Sequence, residues 1–255
     1  MKRERLKCRL GNYFLMEPEK SRKKPLVSVI IPAYNEKKTI RKVVLAALKA
    51  KHVDEVVVVD DGSTDGTAKQ IKDLEVKIVR HKKNRGKGQA IKTGIKHSKG
   101  EIILFLDADL KNITPDKIEK LINPLLKNKA DFVKASFKRP RGRGRITNFT
   151  VKPILKFLFP EMRFSQPLSG QFATRRKFLE KIEIEKDWGT DIGILLDAIV
   201  WDLRIKEVFI GEVKHKKRDE KELAPMAEQV VKTIFKKAGL LRKKIKLRKS
   251  KKMVT

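Results

Sequence analysis

The sequence predicts an α/β fold, with a mostly parallel central sheet flanked by helices. Three observations predict it. Strand-like and helix-like stretches alternate four times between residues 26 and 110. The stretch Val56-Val57-Val58-Val59 is β-branched throughout, as a strand covered on both faces should be. Each strand ends in polar residues, and ligands of open α/β sheets bind outside the carboxyl ends of the strands.

The first core strand is Leu26-Val27-Ser28-Val29-Ile30-Ile31, stopped by Pro32-Ala33-Tyr34-Asn35-Glu36. Lys38 to Lys51 has a helical apolar pattern in Ile40, Val43, Val44, Ala47 and Leu48. After the valine strand comes Asp60-Asp61-Gly62-Ser63-Thr64-Asp65-Gly66-Thr67, where Gly62 allows a tight turn. Ser63 or Thr64 then caps a helix starting near Asp65. Such a start can face an anion, and its carboxylates can accept from a ribose or a base. A capped turn without a ligand accounts for the same residues. Val76 to Val79 is the third strand. In Gly86-Lys87-Gly88 a lysine between two glycines opens a helix, where it can approach a diphosphate. The spacing is not that of a Walker loop. The run Ile102 to Leu106 is a buried strand that ends in Asp107-Ala108-Asp109. Side chains two apart on an extended chain share a side. Asp107 and Asp109 can thus converge on one divalent cation that keeps sites for phosphate oxygens. A solvated acidic turn is the plain alternative.

Thr114-Pro115-Asp116 starts a helix running to about Asn128, and a strand spans Asp131 to Phe137. Arg139 to Thr147 is a glycine-rich loop dense in guanidinium, suited to phosphate and carboxylate, or simply a solvated basic loop. A helix over Asn148 to Leu158, a turn at Gln166 to Gly170 and a short helix over Arg175 to Ile182 follow. Asp187 to Asp191 opens a helix carrying Ile192, Leu195, Leu196, Ile199 and Val200, with Asp191 at its start, where a cap is its plain role. The strand Ile205 to Val213 ends near His215, a third metal ligand or an exposed imidazole. An amphipathic helix spans residues 219 to 241.

Lys and Arg number 63 against 31 Asp and Glu, a net charge of +32 over 255 residues. Much of the excess sits at the two ends, and aromatic residues are only 6% without basic-aromatic interleaving, which argues against specific nucleic-acid recognition. A Lys-rich surface and a phosphate-rich substrate account for the rest of the charge. The single Cys8 excludes an internal disulfide and a cysteine metal cluster. No apolar run approaches the ~20 residues that span a bilayer. The expectation is a cytoplasmic protein whose basic ends can touch an anionic membrane.

Four motifs, Pro32 to Glu36, Val59 to Asp65, Gly86-Lys87-Gly88 and Asp107-Ala108-Asp109, occur in this order over residues 27 to 110. Together they resemble the nucleotide-sugar half of the GT-A glycosyltransferases, whose sheet is Rossmann-like. Arg139-Pro140, Gly144-Arg145-Ile146-Thr147, Lys152-Pro153, Leu158 to Glu161, Gln166 to Gly170 and Gly189 to Gly193 resemble the glucosyl-3-phosphoglycerate synthases. The resemblance covers about residues 26 to 226. It implies a nucleotide-sugar half over 26–110 and an acceptor half over 111–240, while the basic arm over 1–25 and the basic tail over 241–255 fall outside it. It implies that Pro32, Ala33, Tyr34, Asn35, Glu36 and Asp61 hold uridine and that Lys87 meets the diphosphate. Asp107 and Ala108 would face the sugar nucleotide, and Asp107, Asp109 and His215 would bind Mg²⁺ or Mn²⁺. Gly144, Arg145 and Thr147 would take the acceptor, and Asp109 and Asp191 would be the catalytic pair. The implied reaction is retaining transfer of glucose from UDP-glucose to 3-phosphoglycerate by a homodimer. The chain departs from the family at Asp191, where Glu is expected, and before His215, where an Arg two residues earlier is missing. A polyprenyl-phosphate glycosyltransferase at a membrane surface and a module binding acidic polymers are the rival readings.

Overall fold

The computed structural model describes residues 25–139, 144–160, 163–214 and 220–239. Its seven strands are β1 (Val27–Ala33), β2 (Glu55–Asp60), β3 (Lys77–Arg80), β4 (Ile102–Phe105), β5 (Phe132–Lys138), β6 (Phe172–Arg175) and β7 (Ile205–Glu212). They form one sheet in the order β3-β2-β1-β4-β6-β5-β7. Pairing is parallel except at β6, which runs antiparallel to both β4 and β5. The helices are α1 (Ile40–Leu48), α2 (Lys87–His97), α3 (Pro115–Leu126), α4 (Lys152–Leu158), α5 (Arg176–Leu179), α6 (Thr190–Val200) and α7 (Glu220–Lys237).

Alternation along the strands builds two cores. Val29, Ile31 and Val58 point to one face, where Ile40, Val43 and Val44 of α1 and Ile118, Leu121 and Ile122 of α3 cover them. Ile30, Val57 and Val59 point to the other, packed with Ile91 of α2, Leu195 of α6 and Val230 and Ile234 of α7. Each β-branched run is therefore covered on both sides, which is why it carries no polar alternation. The predicted start of α3 holds, with Thr114 at the N-cap and Pro115 in the first turn.

Three sequence-based expectations change. The helix expected near Asp65 is a single 3₁₀ turn at Ala68–Ile71. Ser63 does not cap a helix; its Oγ accepts the Asn35 N–H at 3.0 Å. The Asp65 carboxylate accepts from Lys37 N–H at 3.0 Å and Thr67 N–H at 2.9 Å, and Gly66 sits at φ 85, where a right-handed helix cannot continue. The helix expected over Arg175 to Ile182 yields its start to β6, and only Arg176–Leu179 is helical. Phe172 explains the strand: its ring lies 4.7 Å from Phe105 and 5.4 Å from Phe132, filling the seam between β4 and β5. The helix expected over Asn148 to Leu158 is split into a π turn at Thr147–Val151 and α4.

Candidate active site

Outside the carboxyl ends of β1 and β4 lies a cavity of about 670 Å³. The chain leaves β1 toward β2 on one side and reaches β4 on the other, so the crevice sits at the switch point of the sheet. One wall is Pro32, Ala33, Tyr34, Glu36 and Asp61. Lys87, Asp107, Ala108, Asp109 and Asp191 line the cavity as well, as do Arg139, Gly144, Arg145 and Thr147. The cavity thus gathers the sequence candidates except Asn35 and His215. Asn35 does not line it; held at φ 54, it accepts the Thr64 N–H on Oδ1 at 3.0 Å and ties the β1 turn to the β2 turn. His215, Arg141 and Arg143 lie outside the described residues.

Asp61 is 3% exposed, and its carboxylate gathers the segment ahead of α2. Oδ1 accepts the Arg85 N–H at 3.0 Å and Oδ2 the Gly86 N–H at 2.9 Å. His81 Nδ1 lies 2.6 Å from the same carboxylate, with its Nε2 bonded to Thr93 Oγ1 at 2.9 Å. That arrangement delivers Lys87 to the cavity. Its Nζ donates to Asp107 Oδ1 and to Asp191 Oδ2, each at 2.7 Å. Gln171 Nε2 holds the other Asp107 oxygen at 2.6 Å.

The glycines flanking Lys87 serve packing. Gly88 N–H donates to Lys186 O at 2.7 Å. A methyl at Gly88 would overlap Glu185 O and lie 2.6 Å from Thr190 Oγ1, and one at Gly86 would lie 2.6 Å from Asp187 Oδ1. Gly86 also sits at φ 91. The start of α2 is pressed against the segment that opens α6, and this contact brings Lys87 and Asp191, 104 residues apart, to one point.

The charges are tuned by this crowding. Burial works to lower the Lys87 ammonium, but the carboxylates of Asp107 and Asp191 outweigh it and hold its pKa above the ordinary lysine range. Burial pushes the Asp191 carboxyl up, against the pull of Lys87. Asp191 Oδ1 is buried without a hydrogen-bond partner among the described residues.

Asp107 and Asp109 both line the cavity, and they bring two hard carboxylate donors to it. Among the described residues no group of three or more His, Cys, Asp or Glu could hold a metal by itself. Two carboxylates with the remaining positions open to phosphate oxygens and water suit Mg²⁺ or Mn²⁺ on a nucleotide, so the donor set fits such an ion.

The family model for glycosyl transferase family 2 matches residues 28–187. The chain belongs to glycosyltransferase family 2. It is a glycosyltransferase with the GT-A fold. Glucosyl-3-phosphoglycerate synthase of Mycolicibacterium smegmatis is 33% identical over 238 residues, covering 84% of this chain and 78% of that protein. The crystal structure of the Mycobacterium tuberculosis synthase in complex with Mn²⁺, UDP-glucose and phosphoglyceric acid superposes with a TM-score of 0.78 at 32% identity, covering 84% of this chain and 80% of the other. A dolichol-phosphate mannosyltransferase of Pyrococcus furiosus is 34% identical over 173 residues, covering 62% of this chain and 48% of that protein.

Two residues that hold the candidate site together carry no signal in the sequence. His81 and Gln171 hold Asp61 and Asp107, yet neither stands in a motif. Trp188 lines the cavity with Leu223, Met226 and Gln229 of α7, and its backbone N–H donates to Gln229 Oε1 at 3.2 Å. Gly170 packs directly on the Asp107 carboxylate. Among the described residues no helix is long and apolar enough to cross a membrane.

Proposed function

We propose that the enzyme transfers glucose from UDP-glucose to 3-phosphoglycerate with retention of configuration, using Mg²⁺ or Mn²⁺. One observation carries this reading. An acidic group holding Lys87 and a segment carrying Gly144, Arg145 and Thr147 line one and the same cavity. The first suits a metal-bound diphosphate, the second a small acid with two anionic groups. Relatives at about a third identity carry the name of this reaction, and one such enzyme was crystallised with UDP and glucosyl-3-phosphoglycerate.

Pro32, Ala33, Tyr34, Glu36 and Asp61 form the wall assigned to uridine, with Asn35 bracing it through Thr64. Asp107 and Asp109, joined by His215, are the ligands assigned to the metal. When bound, the ion supplies charge neutralisation on the diphosphate and so makes UDP a better leaving group. Lys87 contributes a second positive charge, turning from the two aspartates to the departing phosphate. Arg145, with the backbone at Gly144 and the Thr147 hydroxyl, orients the acceptor so that its hydroxyl approaches the face that UDP leaves. The leaving phosphate takes the hydroxyl proton. Asp191 lies beside Lys87 and stabilises the cationic sugar that develops between bond breaking and bond making; no covalent sugar on the enzyme is required.

The division into a donor half over 26–110 and an acceptor half over 111–240, with the basic arm and tail outside them, belongs to this proposal. So do a cytoplasmic location and a homodimer. The similarity to dolichol-phosphate mannosyltransferase supports a second reading, in which the acceptor is a lipid phosphate. The test is a matrix of nucleotide sugars against 3-phosphoglycerate and a polyprenyl phosphate, with Mg²⁺ and with chelator. The proposal expects UDP-glucose with 3-phosphoglycerate to lead and chelator to stop turnover. Turnover only with the lipid phosphate would overturn the acceptor assignment.

A further inference from the structure

Lys134 lies on β5, an interior strand between β6 and β7, and is 0% exposed. Its neighbours on the strand, Val133 and Ala135, are buried apolar residues. A lysine here is expensive, because burying an ammonium costs several kcal/mol unless it is well paired. Yet the pairing is poor. Nζ lies 5.0 Å above the Phe172 ring and reaches one acceptor, the backbone O of Asp191, at 3.5 Å. A valine would fill the position at far lower cost, so stability does not account for the charge.

The surroundings do. The charged groups that act on Lys134 are Asp191 on α6, Lys87 on α2, Asp107 after β4 and Glu207 on β7. Three carboxylates thus surround two ammonium groups, those of Lys87 and Lys134, so neither cation is in excess. Lys87 satisfies Asp191 Oδ2, and Oδ1 has no hydrogen-bond partner among the described residues. The balance changes once a donor is bound. On the reading given above, the diphosphate engages Lys87 and the metal engages Asp107. Asp191 is then left buried, anionic and without its cation.

We propose that Lys134 is a positioning residue, the second counter-charge that keeps Asp191 ionised and in place after Lys87 has turned to the diphosphate. It touches neither substrate nor metal and acts through Asp191, from beneath the start of α6. Burial lowers its pKa to about 8, with Asp191 pulling back up, so at neutral pH the ammonium is retained, as the role requires.

The inference rests on the proposed donor site, and the test separates the two. Lys134→Met and Lys134→Gln are made in the full-length chain, alone and combined with Asp191→Asn. Each is checked by thermal melting, by calorimetric titration with UDP and Mn²⁺, and by steady-state kinetics with UDP-glucose and 3-phosphoglycerate. We expect kcat to fall about 100-fold in both single variants, the size of effect that a displaced reacting group produces, while KM for both substrates and UDP affinity are held. Combined with Asp191→Asn, the Lys134 changes should cost little more than Asp191→Asn alone. A wild-type kcat in either folded variant would overturn the inference, as would losses that multiply in the double variants. Absence of transfer in the wild type would instead overturn the proposed reaction and leave UDP affinity as the readout for the site.

Discussion

Replacing Gly170 by Ala should damage metal binding more than it damages the fold. A Cβ at this position would overlap both oxygens of Asp107 and lie 2.6 Å from its Cγ. Ordinary carbon contact begins near 3.5 Å, so the carboxylate must retreat by about 1 Å. Two bonds oppose the retreat, from Lys87 at 2.7 Å and Gln171 at 2.6 Å. Losing the geometry of one charge-assisted bond costs about 1.5–3 kcal/mol, and overpacking of a well-filled site typically costs 1–3 kcal/mol, much of it the same strain. We therefore expect a loss of about 2–3 kcal/mol in stability. Misplacing a functional group by about 1 Å costs about 100-fold in rate. The assays are thermal melting and transfer rate against Mn²⁺ concentration. The expected variant melts lower but folds, and needs far more Mn²⁺ for half-maximal rate. A variant with the wild-type Mn²⁺ curve would refute the reasoning, because the Asp107 carboxylate would then have moved without consequence.

Arg145→Ala should raise KM for 3-phosphoglycerate much more than KM for UDP-glucose, as its proposed role toward the acceptor requires; equal losses would contradict the acceptor assignment. Lys134→Met should raise the melting temperature at pH 7 while lowering turnover. A fall in ammonium pKa from 10.5 to about 8 corresponds to a burial cost on the order of 3 kcal/mol. The cost is full below pH 8, where folded and unfolded chains both hold the proton. It is relieved between about 8 and 10.5, where only the unfolded chain does, so the variant's advantage should shrink over that window. Melting temperatures that run parallel across it would refute this. Asp131 accepts from Arg204 at 2.8 Å; although burial works against it, these bonds hold its carboxyl below the ordinary 3.8. Its contribution is complete above pH 3.8 and is lost as pH falls below that value, so Arg204→Ala should flatten the acid limb of the stability profile.

Strands β1, β2 and β4 were legible because they are buried on both faces, and their apolar runs state this directly. The chain after residue 110 was harder for a physical reason. β6 is four residues long with one polar member facing each way, and Arg175 at its end resembles a helix start. Only Phe172, packed between Phe105 and Phe132, makes it a strand, and that contact is tertiary. Asp107 and Asp109 were readable from spacing, but the meeting of Lys87 with Asp191 was not, because it depends on glycines packing across 104 residues. Lys134 was invisible for the opposite reason: a lysine inside a strand reads as a solvent-facing position, and its burial follows from the interior place of β5 and the start of α6 packed over it.

The central claim is that the carboxylates after β4 hold a cation on the donor's diphosphate. Calorimetric titration of UDP into the wild-type enzyme and into Asp109→Ala, with Mn²⁺ and with chelator, tests it most directly. The account predicts tight binding only for the wild type with Mn²⁺, and no transfer by the variant. Equal UDP affinity in chelator, or an unchanged Mn²⁺ requirement in Asp109→Ala, would contradict it.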